Sequence, residues 1–155
     1  LGSATMEVEL LDINALLAGV ADSMEYQIKT AGVTLEIEQL PSCTGDASQI
    51  NQIFSNLLDN ALKFLDKSRP GMIHIYGKVE HRQSIYCVED NGIGIAEDHQ
   101  EKIFEIFHQL EPDQKGGEGL GLTTVRRIID RHNGRIWLES EPGKGSKFFV
   151  SLPGA

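Results

Sequence analysis

The sequence is poor in cysteine, in basic residues and in long apolar runs. Its two cysteines, Cys43 and Cys87, show no Cys-x-x-Cys spacing. That excludes a disulfide framework and a zinc site, and leaves two thiols suited to a reducing compartment. Lys plus Arg number 14 against 23 Asp plus Glu, for a net charge of −9. Nucleic-acid and membrane-surface binders need a basic footprint, so neither class is expected. No apolar run reaches the roughly 18 residues a bilayer demands. Internal repeats, low-complexity tracts and long linkers are also missing. Leu1-Gly2-Ser3-Ala4-Thr5-Met6 has no charged start and no apolar stretch, so it does not read as a signal peptide. Residues 1–6 read as a cloning scar or cut end, and residues 7–153 as one domain.

What is present is an ordinary globular composition: 155 residues, 40% hydrophobic and 24% charged. A chain of this size buries roughly 70% of its unfolded surface and needs no staple. Apolar residues at helical spacing predict a helix over about 12–31, closed by Gly32. Alternation predicts a strand over 33–38. Asp46 followed by Gln49 reads as a capping box, opening a helix whose apolar stripe runs from Ile50 to Leu65. Strands are expected over 72–79 and 84–90, and a turn over 91–95. A short helix is expected over 97–107, a polar loop over 108–118 and a helix over about 120–132. A final hairpin pairs 135–140 with 147–152. The expected class is α+β: a helical layer on one face of a mixed sheet.

Three constellations carry chemistry. Asn56, Asn60 and Lys63, at i, i+4 and i+7, share one helical stripe, placed at about 100° per residue well away from the apolar one. A carboxamide oxygen suits Mg²⁺ and a lysine suits phosphate; the plain alternative is a solvated helix face. Asp90-Asn91-Gly92-Ile93-Gly94 puts a carboxylate at a strand end before two glycines. Such a carboxylate accepts from an exocyclic amine such as adenine's, or serves a tight turn. Gly116-Gly117-Glu118-Gly119-Leu120-Gly121-Leu122 precedes a helix, which is an anion site or a flexible connector. It is not a P-loop, because no Gly-Lys-Ser/Thr follows.

Taken in order, these segments resemble the ATP-binding catalytic domain of two-component sensor histidine kinases, in the superfamily that includes gyrase B. The resemblance runs from about Val8 to Pro153. Residues 56–64 look like the N box and residues 90–95 like the first glycine box. Residues 103–107 look like the F box and residues 117–122 like the second glycine box. The resemblance implies a Bergerat-type two-layer sandwich, with about three helices on a mixed sheet of roughly five strands, and a mobile ATP lid over 108–118. It also implies ATP and Mg²⁺ as cofactors. Asn60 would ligate Mg²⁺, with Asn56 and Lys63 lining the phosphate side as the catalytic pair. Phe64 would lie near the adenine. Asp90 would accept from its amino group, with Gly92 and Gly94 opening the pocket wall and Ile95 packing on the base. Gly119 and Gly121 would bring backbone N–H groups to the phosphates. Phe107, Leu120 and Leu122 complete the implied nucleotide-contacting set. Ser146 occupies a position where the family usually has a threonine close to the adenine.

The gyrase-like branch carries a glutamate base where this chain has Asn56. A carboxamide cannot take a proton at neutral pH, so slow hydrolysis is expected. Asp59 is a candidate replacement, but it is one residue off the stripe. The expected activity is transfer of the γ-phosphoryl group to a histidine on a dimerisation helix, for relay to a response-regulator aspartate. None of His74, His81, His99, His108 and His132 sits in the family's acceptor pattern, so the acceptor helices are expected outside this chain. His108, at the root of the lid, is the one with a better case for a role. Arg126, Arg127 and Arg131 read as a solvated face, while Lys67 and Arg69 are candidates for phosphate. Phe104, Ile106 and Phe107 are candidates for docking the absent helices. The resemblance implies a cytoplasmic domain, monomeric when isolated, without direct membrane contact, and leaves an anchor in the full-length protein open. The alternatives are an anti-sigma-factor-type serine/threonine kinase of the same superfamily, or a nucleotide-binding docking module without transfer.

Overall fold

The computed structural model of the chain describes residues 5–104 and 118–155, with residues 118–120 as backbone alone. In chain order its elements are β1 (Val8–Leu11), α1 (Ile13–Ser23), α2 (Glu25–Ala31), β2 (Thr34–Ile37), β3 (Cys43–Asp46), α3 (Ala47–Lys63), β4 (Met72–Glu80), β5 (Gln83–Asp90), α4 (Glu97–Gln100), α5 (Glu118–Arg131), β6 (Arg135–Glu141) and β7 (Gly145–Pro153). Five strands form the expected mixed sheet in the order β2-β4-β5-β7-β6. β2 pairs with β4 in parallel, and the remaining neighbours are antiparallel.

Period-two alternation assigns the two faces of this sheet. Tyr86 and Val88 of β5, and Phe148, Val150 and Leu152 of β7, enter the core with the helices. α3 supplies Ile50, Ile53, Phe54, Leu57, Leu58 and Ala61 to that core, α1 supplies Leu17 and Val20, and α5 supplies Val125 and Ile129. Each large apolar side chain buried this way contributes on the order of 2 kcal/mol. Phe54 meets Tyr86 edge-on with centroids 5.4 Å apart, and the Tyr86 hydroxyl donates to Pro41 O at 2.6 Å. On the opposite face Trp137 stacks on Phe149 at 5.3 Å, with the Arg135 guanidinium over its ring. Both thiols are buried. Burial raises the pKa of each, that of Cys87 to about 11, so both stay protonated.

Four expectations change. The first helix is two, because Ser23 Oγ donates to Val20 O at 2.8 Å and Met24 leaves the helical region at φ −111. Gly32 still closes the second piece, at φ 66. β1 and β3 form a separate two-stranded antiparallel sheet that the sequence did not announce. Of the helix expected over 97–107, only Glu97–Gln100 is α-helical, residues 101–104 form a turn, and 105–107 lie outside the described residues. The last helix starts at Glu118, so Gly119 and Gly121 sit inside its first turn. Residues 108–117, which include His108 and nearly all of the expected lid, also lie outside the described residues.

Asp46 does cap α3, its Oδ1 accepting from Gln49 N at 3.1 Å. The reciprocal bond of a capping box is replaced. Asp46 N donates 3.1 Å to Nε2 of buried His132, whose Nδ1 lies 2.8 Å from Ile128 O. An amide can only donate and a carbonyl only accept, so His132 is the neutral Nδ1–H tautomer. It ties the end of α5 to the start of α3.

Candidate functional site

The helix α3 carries one side of the site. Asn60 is only 6% exposed and counts among the buried residues of α3, not on a stripe well away from the core. Leu57 and Asn60 are three residues apart, hence only about 60° apart around the helix axis. α5 also packs against α3. Asn56 Nδ2 donates 3.1 Å to Gly121 O, and its Oδ1 accepts from Gln52 Nε2 at 2.9 Å. This fixes the carboxamide and fastens the first turn of α5 to α3. Lys63 is exposed and pairs with Asp59 at 3.1 Å. Such a half-exposed i, i+4 pair is worth well under about 1 kcal/mol, so Lys63 can leave it for a phosphate.

The loop after β5 carries the other side. Asp90 is 6% exposed, and its Oδ1 accepts from Gly92 N at 2.8 Å. Burial pushes its carboxyl up to about 6, against the opposing pull of the Gly92 and Ser146 backbone N–H groups. Ile93 N donates 2.9 Å to Phe64 O, which seats the loop on the C-terminus of α3. The approach is so close that a Cβ on Gly92 would stand 2.1 Å from Phe64 O. Gly94 has φ +76, and a Cβ there would stand 2.2 Å from Glu141 O. The loop is thus wedged between α3 and the β6–β7 hairpin. Ile95 is half-buried against the core and gives its N–H to Ser140 Oγ at 2.8 Å.

Two residues that the sequence undervalued hold this arrangement. Arg69, a candidate for phosphate, is committed elsewhere. Its Nε donates to Asn91 O at 2.9 Å and one terminal nitrogen donates to Gly92 O at 2.8 Å and Gly143 O at 2.9 Å. Its other terminal nitrogen faces Asp66 at 3.4 Å. Nothing in a sequence marks an arginine whose partners are carbonyls. Ser140 stands opposite Ser146, which stands opposite Asp90, in one row across β6, β7 and β5. The hairpin register could have shown that row.

The remaining candidates fall as follows. Phe64 is half-buried at the C-cap of α3, and Leu122 lies in the core. Phe104 is packed against the core, its ring edge-on to Phe148 at 6.2 Å. Phe107 lies outside the described residues, and Gly119 and Leu120 are described by backbone only. As first-turn residues of α5 they belong to the stretch whose N–H groups lack intrahelical partners. A recess of about 300 Å³ borders Asp90, Ser140 and Ser146, but its other walls include Glu89, Glu139 and Lys147. Those residues alternate with the first three and so belong to the opposite, charged face of the sheet.

The arrangement joins a buried carboxylate, an apolar neighbour in Ile95, and two carboxamides with a lysine along one helix. It suits a ligand with an amine-bearing flat end and an anionic end. Among the described residues no group of three or more His, Cys, Asp and Glu could hold a metal by itself. A Mg²⁺ here would therefore take Asn60 as one neutral ligand and the rest from phosphates and water, as that ion commonly does.

Comparison with known proteins identifies the family. Residues 45–155 match the family described as histidine kinase-, DNA gyrase B-, and HSP90-like ATPase. The phytochrome-like protein Cph1 of Synechocystis sp. is 35% identical over 148 residues, 95% of this chain and 20% of that protein. The chain thus spans about a fifth of the length of the phytochrome-like relatives it matches. The catalytic domain of the histidine kinase ThkA superposes with a TM-score of 0.82 at 28% identity, covering 96% of this chain and 97% of that one. Full-length ShkA, solved in complex with AMPPNP, gives a TM-score of 0.83 at 28% identity, covering 99% of this chain and 32% of that one. The chain belongs to the histidine kinase-, DNA gyrase B- and HSP90-like ATPase family, as a histidine kinase catalytic domain.

Proposed function

We propose that this domain binds Mg²⁺-ATP with the adenine amino group on Asp90, and that the longer protein transfers the γ-phosphoryl group to a histidine on its own helices. The observation that carries the reading is Asp90 itself. A carboxylate that is 6% exposed, held by two backbone N–H groups and without an ion pair among the described residues, is expensive to keep in a fold. It is matched by a ligand that brings a hydrogen-bond donor. AMPPNP in the complex with ShkA supports a nucleotide as that ligand.

Asn60 would hold Mg²⁺, which when bound neutralises charge between the phosphates. Lys63 would leave Asp59 for phosphate oxygens. Asn56 would position, since one of its amide protons and its oxygen are engaged and it has no basic lone pair for water. Asn56 thus supplies no base for hydrolysis, which favours a nucleophile that needs none. In the transfer, an imidazole nitrogen bonds to the γ-phosphorus as the bond to the β–γ bridging oxygen breaks and ADP leaves. Catalysis is then positioning and charge neutralisation. The next acceptor would be a receiver-domain aspartate.

Calorimetric titration of AMPPNP, with and without Mg²⁺, tests the site. Saturable binding that Asp90→Asn largely abolishes is the expected result, and binding indifferent to Asp90 would sink the assignment. Labelled ATP with a version extended to include the helices tests the transfer. Acid-labile phosphate is expected; acid-stable phosphate would point to serine or threonine instead.

A further inference from the structure

We infer that Ser140 is a positioning residue for base selection: it holds the Ser146 hydroxyl as a hydrogen-bond acceptor beside Asp90, so that the site takes a purine with a 6-amino group and rejects one with a 6-oxo group. The inference rests on the nucleotide reading above and deepens it.

Proton counting at Ser140 carries it. A serine hydroxyl has one proton and two lone pairs. Ser140 Oγ accepts from Ile95 N at 2.8 Å, and that contact has one possible direction because an amide only donates. It donates to Gly145 O at 3.0 Å, again in one direction because a carbonyl only accepts. Its single proton is then used. The third contact, to Ser146 Oγ at 2.7 Å, must therefore have Ser146 as the donor. Ser146 is buried, and with its proton turned to Ser140 it has only lone pairs left.

The row Asp90–Ser146–Ser140 lies across three neighbouring strands in directly opposed register. Residues two positions further along each strand, Val88, Phe148 and Leu138, belong to the core side, so the row faces the helices. A base seated at Asp90 thus meets acceptors from both β5 and β7. An amino group satisfies them; a carbonyl oxygen in the same place faces lone pairs only. Sites built from fixed polar groups discriminate strongly in this way. Ser140 touches no ligand in this scheme and acts only through Ser146.

The test compares the affinities of ATP and inosine triphosphate for the 155-residue chain, its Ser140→Ala variant and its Ser140→Thr variant. The native chain should prefer ATP. In Ser140→Ala the Ser146 proton is released and can turn to a 6-oxo group, so the preference should fall roughly five- to tenfold, the worth of about one hydrogen bond. Ser140→Thr keeps the hydroxyl and should keep the native ratio. Simple loosening of the hairpin would weaken both nucleotides alike, and an unchanged ratio in Ser140→Ala overturns the inference while leaving Asp90 as the base site. If Ser140→Ala does not fold, Ser146→Ala takes its place: removing that hydroxyl must also reduce the preference, and an unchanged ratio refutes the scheme. ATP binding that ignores Asp90→Asn would instead refute the nucleotide reading, and this inference with it.

Discussion

Replacing Asp90 by asparagine should stabilise the ligand-free domain, and by an amount that depends on pH. The carboxyl is pushed up to about 6 by burial, whereas in the unfolded chain it titrates near the ordinary value of about 4. The folded state therefore holds this proton more tightly than the unfolded one. Ionisation of Asp90 opposes folding: the penalty is absent below about pH 4, grows as pH rises through about 4 to 6, and is complete above about pH 7. A shift of about two pH units corresponds to on the order of 3 kcal/mol. Asparagine keeps an oxygen for the Gly92 N–H bond and carries no charge, so it isolates this contribution. Urea unfolding of both proteins between about pH 4.5 and 7.5 would measure it. The stability advantage of Asp90→Asn should widen by about 2 kcal/mol across that range. Carboxylates stabilised when ionised, such as Asp46 with its backbone donors, change in the opposite direction but cancel in the difference. An advantage that stays flat with pH would show that Asp90 is neither desolvated nor strained by its charge. The argument for a ligand that supplies a donor would fail with it.

Arg69→Ala removes the donors of three carbonyls at once. It should lower stability by about 2 to 3 kcal/mol, a fall in Tm of roughly 5 to 10 °C. Arg69→Lys should recover little of this, since an ammonium cannot span the same fork, and full recovery would show that charge alone suffices. Gly92→Ala places a methyl group 2.1 Å from Phe64 O; the loop must lift from α3, and Asp90-dependent nucleotide binding should be lost while far-UV circular dichroism stays native. Unchanged binding would mean that the loop can be reseated freely. His132→Leu leaves Asp46 N without its acceptor and should destabilise by about 1 to 3 kcal/mol. Amide exchange of Asp46 should quicken beyond the change seen elsewhere, and uniform quickening would refute a specific bond.

The main sheet was readable because its strands alternate cleanly and Gly, Pro or Asn flank most of them, the β4–β5 turn of His81 and Arg82 being the exception. β1 and β3 escaped because neither sustains the apolar alternation that marks the equally short β2. β3 contains glycine and aspartate, and its strand character comes from pairing with a distant segment. The break at Met24 was hidden for a related reason. A serine inside an apolar periodicity gives no sign that its hydroxyl will bond back to Val20 O. For the candidate site, order and spacing identified Asp90 and the asparagines of α3, but a helical projection misjudged the burial of Asn60. Asn60 stands only about 60° from Leu57 around the axis of α3, at the edge of the apolar stripe, and α5 packs against the same helix. Arg69 and Ser140 went unrecognised because their partners are main-chain groups, or become neighbours only through strand register.

α5 is fastened along its length. At its C-terminal end His132 bonds to the backbone of α3, and Gly134 lies so close to Ser151 that a Cβ would stand 2.2 Å from its carbonyl oxygen. Toward its other end Asn56 donates to Gly121 O, and Leu122 and Val125 enter the core. Fourteen residues span about 21 Å, so α5 is a strut: the placement fixed at His132 is carried to Asn56, one helical turn before Asn60. A ligand that draws on both asparagines would press on a strut seated at the far end of the fold.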